Sequence, residues 1–153
     1  MPPIDRSDPV ILGHVLAEHH DLFLRMHTIA ESFADARPPT ADRTAATLES
    51  LAGLRAHLAT HFEQEERGGF MEESIARIPR LAAAASAVLR QHPELLAELD
   101  ALIGGLRRGD ISDKAWARAG RDFAHFAASM KAHERSENAV VQEGYNEDLG
   151  LLD

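Results

Sequence analysis

Residues 48–65 read LESLAGLRAHLATHFEQE, and the spacing of their leucines predicts the fold. The leucines recur at steps of three or four, which is the period of one face of an α-helix. They are Leu48, Leu51, Leu54 and Leu58. The same face continues through His61 and Glu65, so the predicted helix directs two polar side chains toward the core of the protein.

Three other segments repeat this helical pattern, and the alternation typical of strands is nearly absent. The predicted helices run from Pro9 to Asp35, from Ala41 to Arg67, from Pro79 to Arg108 and from Asp113 to Val141. The connections are a loop at 36–40, a connector at 70–78 and a turn in which Ser112 caps the fourth helix, and residues 144–153 form a predicted acidic tail. We therefore predict an all-α protein, an up-down-up-down antiparallel four-helix bundle that occupies residues 1–153 as one domain.

Pro93 lies inside the third predicted helix. Proline removes one helical hydrogen bond and disfavours helix at the preceding residue. Because the apolar face keeps its phase across Pro93, we predict one kinked helix there rather than two separate ones.

The composition excludes several classes of protein. The chain has 153 residues, no cysteine and a formal net charge of −9. Thiolate metal sites, iron–sulfur clusters and disulfides are therefore excluded, and the negative charge disfavours nucleic acid and anionic membranes as partners. The N-terminus lacks a secretory pattern and no apolar run is long enough to cross a bilayer, so we expect a cytoplasmic location.

Polar residues replace apolar ones at six positions on the core-facing sides of the four helices. They are His19, His61, Glu65, His92, His133 and Glu137. Such a group is costly to bury without a partner. Four imidazoles with two carboxylates suit Fe, Mn or Zn better than Mg or Ca, although a metal-free network of hydrogen bonds is an alternative.

The six positions also repeat along the chain. His61 and His133 are 72 residues apart, and so are Glu65 and Glu137. Each His-x-x-x-Glu pair lies on one helical face, since residues four apart are neighbours on a helix. The pattern predicts two similar helical hairpins, each contributing two histidines and one carboxylate.

The combined pattern resembles the hemerythrin-like (HHE cation-binding) family. The resemblance rests on Glu18–Leu22, His61–Glu66, Gln91–His92 with Leu95–Leu96, and His133–Asn138. It implies a four-helix bundle around two iron ions joined by an oxo or hydroxo bridge, for which Zn or Mn could substitute. It also implies that the six polar residues are the ligands, with Glu65 and Glu137 bridging the two ions.

One position departs from the oxygen-carrying members of that family, which place a second histidine four residues after the first on the third helix. Here that position is Leu96. One ion is then expected to keep an open coordination position, which favours a reaction with oxygen or peroxide over reversible oxygen transport. Glu66 is either an additional ligand or a solvent-facing residue.

Three other histidines are candidates for the surroundings of the site. His20 is the alternative to His19, which we prefer because its spacing from the neighbouring apolar residues points it inward. His57 and His125 each lie one place away from the core-facing side of their helix. They either line or orient the site or are simply packed or half-exposed.

Three functions are consistent with these features. The first is a di-iron protein that binds O2 or peroxide and decomposes H2O2. The second is a module that binds, stores or senses O2 or iron without turnover, and the third is a bundle with a structural metal or none. The expected partners are O2, H2O2 and iron, and the sequence leaves open whether the chain is a monomer or a homodimer.

Overall fold

The computed structural model describes residues 9–67, 78–109 and 112–150, with side chains for 17–67, 78–109 and 112–144. These residues form four α-helices and no strand. The helices are α1 (Pro9–Ala34), α2 (Ala41–Arg67), α3 (Ala82–Arg107) and α4 (Asp113–Gly150), and a short 3-10 turn, Pro79–Leu81, precedes α3. The all-α fold with four helices is thus confirmed.

Polar side chains fix several helix ends. The Thr40 hydroxyl accepts a hydrogen bond from the Arg43 amide at 3.1 Å, and the Ser112 hydroxyl accepts one from the Ala115 amide at 3.1 Å. Each satisfies an amide that has no partner within its own helix. Past the end of α3, Gly109 adopts a φ of 80°, the left-handed conformation that commonly terminates helices.

Each helix packs mainly against two others: α1 against α2 and α4, and α3 against α2 and α4. Along these pairs, residue numbers rise on one helix as they fall on the other. On α1 and α2, for example, Glu18 contacts His61 and Asp21 contacts His57. This is the order of contacts between antiparallel neighbours, and it is consistent with the up-down-up-down order predicted from the sequence.

The core contains two apolar clusters with polar residues between them. The larger one includes leucines of α1, α2 and α3 together with Phe62, Phe123 and Phe126. The smaller one contains Ala85, Val88, Val140 and Val141. Along α3 and α4, the predicted histidines lie between these two clusters, so apolar side chains lie on both sides of the polar positions.

The predicted boundaries need one substantial correction. The fourth helix continues from Val141 to Gly150, so residues 144–150 are helical rather than a tail. Gly144 and the acidic residues suggested a tail, but one glycine costs a helix only about 1 kcal/mol and no proline follows to stop it. Residues 151–153 and most of the connector, 70–77, lie outside the described residues.

The third helix is continuous through Pro93. The proline ring lies on the exposed side of α3, while His92 beside it is 1 % exposed. Among the described residues, no helix is both long enough and apolar enough to cross a membrane.

Candidate metal centre

The structure brings together all six polar residues predicted at the core positions and buries them. They form two overlapping groups, one of His19, His61, Glu65 and Glu137 and one of Glu65, His92, His133 and Glu137. Within each group, one nitrogen or oxygen from every residue lies within 4.8 Å of the others. Each group can hold a metal ion, and the two carboxylates belong to both groups.

Glu137, on α4, extends one oxygen toward each pair of histidines. Its Oε1 lies 3.1 Å from Nε2 of His19, and its Oε2 lies 3.3 Å from Nε2 of His133. His19 comes from α1 and His133 from one turn earlier on α4, so a single carboxylate spans the two groups.

Glu65, on α2, has the same arrangement. Its Oε1 contacts Nε2 of His61 and lies 3.9 Å from Nε2 of His19. Its Oε2 lies 3.2 Å from Nε2 of His92 on α3. Each carboxylate thus lies between two pairs of histidines and belongs to both metal-holding groups.

Most of these close contacts lack the angles of hydrogen bonds. Only the contact between His19 and Glu137 qualifies, whereas six buried atoms of the cluster have no hydrogen-bond partner among the described residues. Five of them take part in the close contacts, namely both oxygens of Glu65, Oε2 of Glu137 and Nε2 of His92 and His133, and the sixth is the outer Nδ1 of His19. Buried polar atoms normally have partners, so atoms that converge without bonding to one another fit a shared cation.

The outer nitrogen of three histidines donates a hydrogen bond to a side-chain oxygen. His61 Nδ1 donates to Glu18 at 2.7 Å, and His92 Nδ1 donates to Glu66 at 3.0 Å. His133 Nδ1 donates to Gln91 at 2.9 Å. A proton held on Nδ1 leaves the lone pair of Nε2 free to face the cluster, which is the tautomer that a metal requires.

Sequence reasoning missed the roles of Glu18 and Gln91. Each immediately precedes a predicted ligand histidine, and each bonds to the histidine of the next helix rather than to its neighbour in sequence. The two residues occupy the same place in the two hairpins, so the internal repeat contained the signal.

The close packing of imidazoles and carboxylates shifts their pKa values. Burial alone lowers the pKa of His19, but the adjacent carboxylates of Glu137 and Glu65 outweigh it and raise the pKa to about 10. For His61 and His92, burial likewise lowers the pKa and Glu65 more than compensates, so both pKa values are raised. Burial raises the pKa of Glu65, but the three imidazoles around it prevail and lower it. Without a metal, protons therefore neutralise part of the buried negative charge.

Glu134 is a buried acidic residue that the sequence did not single out as a site residue. Its side chain lies on α4 next to His133 and is 3 % exposed, and neither of its oxygens has a hydrogen-bond partner among the described residues. Burial raises the pKa of Glu134 to about 7. On α2, the Phe62 ring stacks on His92 with centroids 3.8 Å apart.

The other candidate residues lie outside the cluster. His20 is exposed, which supports His19 as the inward residue of that pair. The Nε2 of His57 lies 3.3 Å from Asp21, and that of His125 lies 3.5 Å from Glu98, so both histidines face acids away from the cluster. Glu66 is half-exposed and contacts the outer nitrogen of His92, which gives it an orienting position rather than a ligand position.

The chain matches no protein-family model, and no curated protein and no solved structure matches it either. The hemerythrin-like resemblance therefore stays a prediction. The geometry of the cluster carries the functional argument.

Replacing Gln91 by alanine is expected to weaken Zn(II) binding by ~10–100-fold, because His133 then loses the acceptor that fixes its ring. Competition with a chromophoric chelator measures the affinity. Gln64→Ala is the matched control, since Gln64 is an exposed glutamine on α2. Equal affinities in the two variants would contradict the orienting role.

Proposed function

We propose that this chain is a non-haem di-iron protein that binds O2 or peroxide between its helices and decomposes H2O2. The proposal rests on one observation: each carboxylate lies between two pairs of histidines and directs one oxygen toward each pair. Glu137 reaches His19 with one oxygen and His133 with the other. This division is what two adjacent metal ions require of bridging ligands.

The donor set supports a transition metal. Imidazole nitrogens combined with carboxylate oxygens suit Fe, Mn and Zn, whereas Mg and Ca prefer oxygen alone. Zn has no redox chemistry, so reaction with O2 or peroxide requires Fe or Mn. The resemblance to the hemerythrin-like family favours iron.

The lining of the site supports reaction over transport. Leu96 stands where the oxygen carriers of that family have a further histidine, and its half-buried side chain packs against the larger apolar cluster. It offers no ligand atom, which leaves room for a small molecule at an ion. A bound iron pair would give two electrons to one peroxide, which is reduced to two waters, and would regain two electrons from a second peroxide, which is oxidised to O2.

The protein groups hold and shield that pair. Glu18, Glu66 and Gln91 fix three of the imidazoles through hydrogen bonds. Phe62 covers one face of His92, and the two apolar clusters lie on either side. Such surroundings restrict water and influence the redox potential of a bound metal.

The proposal is tested on metal-free protein that has been loaded anaerobically with Fe(II). We expect two iron ions per chain, the near-ultraviolet absorption of a bridged ferric pair on exposure to air, and release of O2 from added H2O2. Iron-loaded protein that showed no reaction with either O2 or peroxide would contradict the proposal.

Two other outcomes would favour the alternative functions. Reversible spectral change under cycles of O2, without release of O2 from peroxide, would indicate binding, storage or sensing. Less than one metal equivalent, with a melting temperature unchanged by chelation, would indicate a metal-free bundle.

A further inference from the structure

Glu134 is a buried carboxylate that is not one of the six residues of the cluster described above. Its side chain is 3 % exposed, and both of its oxygens lack a hydrogen-bond partner among the described residues. A buried carboxylate without a partner is strongly unfavourable, and such groups normally pair with a cation or coordinate a metal. Glu134 thus carries a cost that the metal-free chain does not offset.

The surroundings of Glu134 place it on one side of the cluster. Glu134 belongs to neither metal-holding group as they stand, but it lies on the side of α4 that faces α1. Gly120, about four helical turns before it on the same face, packs against Phe33 of α1, whereas His133 faces Gln91 of α3. Glu134 is therefore on the side of the cluster to which α1 contributes His19.

The internal repeat makes this placement asymmetric. In the first hairpin, the residue after His61 is Phe62, and in the second hairpin the residue after His133 is Glu134. Phe62 stacks on His92, which belongs to the second group. One metal position thus has an additional carboxylate beside it, whereas the other has an apolar ring.

We propose that Glu134 is a seventh protein ligand, bound at the end of the metal ion that His19 and His61 hold and not shared with the second ion. This inference rests on the proposed metal centre. Two divalent ions with two carboxylate ligands keep an excess of positive charge, which a third carboxylate reduces. Leu96, one turn after His92 on α3, offers no such ligand atom, which would leave the ion of His92 and His133 open to a small molecule.

The first test compares the wild type with Glu134→Gln in titrations with Zn(II), which binds without redox chemistry. We expect the wild type to bind two equivalents. In the variant, one equivalent should bind at least ~10-fold more weakly, since even outer partners of metal ligands change affinity by that factor, and the other should be unchanged. Two equivalents bound as tightly by the variant as by the wild type would overturn the proposal.

Thermal melting gives a second readout that a purely structural role of Glu134 would not produce. Without metal, Glu134→Gln should be at least as stable as the wild type, because the Glu134 oxygens make no hydrogen bond among the described residues that the substitution could remove. With Zn(II), the increase in melting temperature should be smaller for the variant. A variant less stable than the wild type in both states would overturn the ligand role.

The control is Glu63→Gln, which changes an exposed glutamate on α2 that pairs with Arg67 and should leave both readouts unchanged. If Glu134→Gln does not fold, a crystal structure of the Zn(II)-loaded wild type decides the question. It should show a Glu134 oxygen within ~2.2 Å of the ion at His19 and His61, and a longer distance would overturn the proposal. A wild type that binds no Zn(II) at all would instead show that the proposed metal centre is wrong.

Discussion

Replacing both His61 and His133 by alanine is expected to abolish metal binding. His61 belongs to the first metal-holding group and His133 to the second, so the double variant leaves one histidine at each position. Losing an orienting partner alone lowers metal affinity by ~10–100-fold, and the loss of a ligand should exceed that at both positions. Metal analysis of purified protein and the optical spectrum after loading with Fe(II) measure the effect.

The single variants sharpen this prediction. His61→Ala should lose the ion of the first group and His133→Ala that of the second, although the shared carboxylates will weaken the remaining ion to some extent. The matched controls are His57→Ala and His125→Ala, on the same two helices, because these histidines face Asp21 and Glu98 outside the cluster. Controls that lose metal as completely as the double variant would contradict the assignment.

The sequence predicted the candidate ligands because helical periodicity determines which side of a helix a residue occupies. His61 follows Leu54 and Leu58 at steps of three and four, and the structure buries all three. Even the choice between His19 and His20 depended only on this spacing. The role of these residues as metal ligands stays a prediction, because the structure shows that their side chains converge and does not show which ion they bind.

Contacts between helices were harder to predict. Gln91 and Glu18 bond to histidines on other helices, and these bonds depend on the rotation and the height of each helix in the bundle. Glu134 was overlooked for a related reason. On a helical wheel it lies beside the core-facing side, where charged residues usually remain in solvent, and only the packing of α4 shows that it is buried.

The predicted end of the fourth helix was wrong for a different reason. Residues 142–150 contain glycine, asparagine and several acids, a composition typical of a tail. Composition reports the preference of an isolated segment, whereas tertiary contacts often override it. Val140 and Val141 pack into the smaller apolar cluster, which anchors α4 immediately before the residues assigned to a tail.

The location of the polar residues has a cost in stability. They separate the two apolar clusters, so this level of the bundle gains little from hydrophobic burial. Eight buried polar atoms at this level, on His19, Glu65, His92, His133, Glu134 and Glu137, also lack hydrogen bonds among the described residues. An unsatisfied buried polar group costs about 1–3 kcal/mol. We therefore expect the polar level of the bundle to be the part that most lowers the free energy of unfolding of the metal-free protein.

Metal loading is therefore expected to raise the stability of the protein considerably. A ligand that binds only the folded state at a concentration about 1,000 times its dissociation constant adds about 4 kcal/mol to the free energy of unfolding. For a chain of this size, each kcal/mol shifts the melting temperature by about 2–4 °C, so Zn(II) or anaerobic Fe(II) should raise it by roughly 8–16 °C. Calorimetry before and after chelation measures the shift.

The variant without His61 and His133 separates a specific metal effect from a general one. Its melting temperature should not respond to Zn(II), because neither group retains two imidazoles. If the wild type and this variant respond equally, metal binds elsewhere on the acidic surface and the buried cluster is not its site. If only the wild type responds, the same residues that cost stability in the metal-free protein stabilise the loaded one. The cation then supplies the partner that both oxygens of Glu65 and Oε2 of Glu137 lack among the described residues.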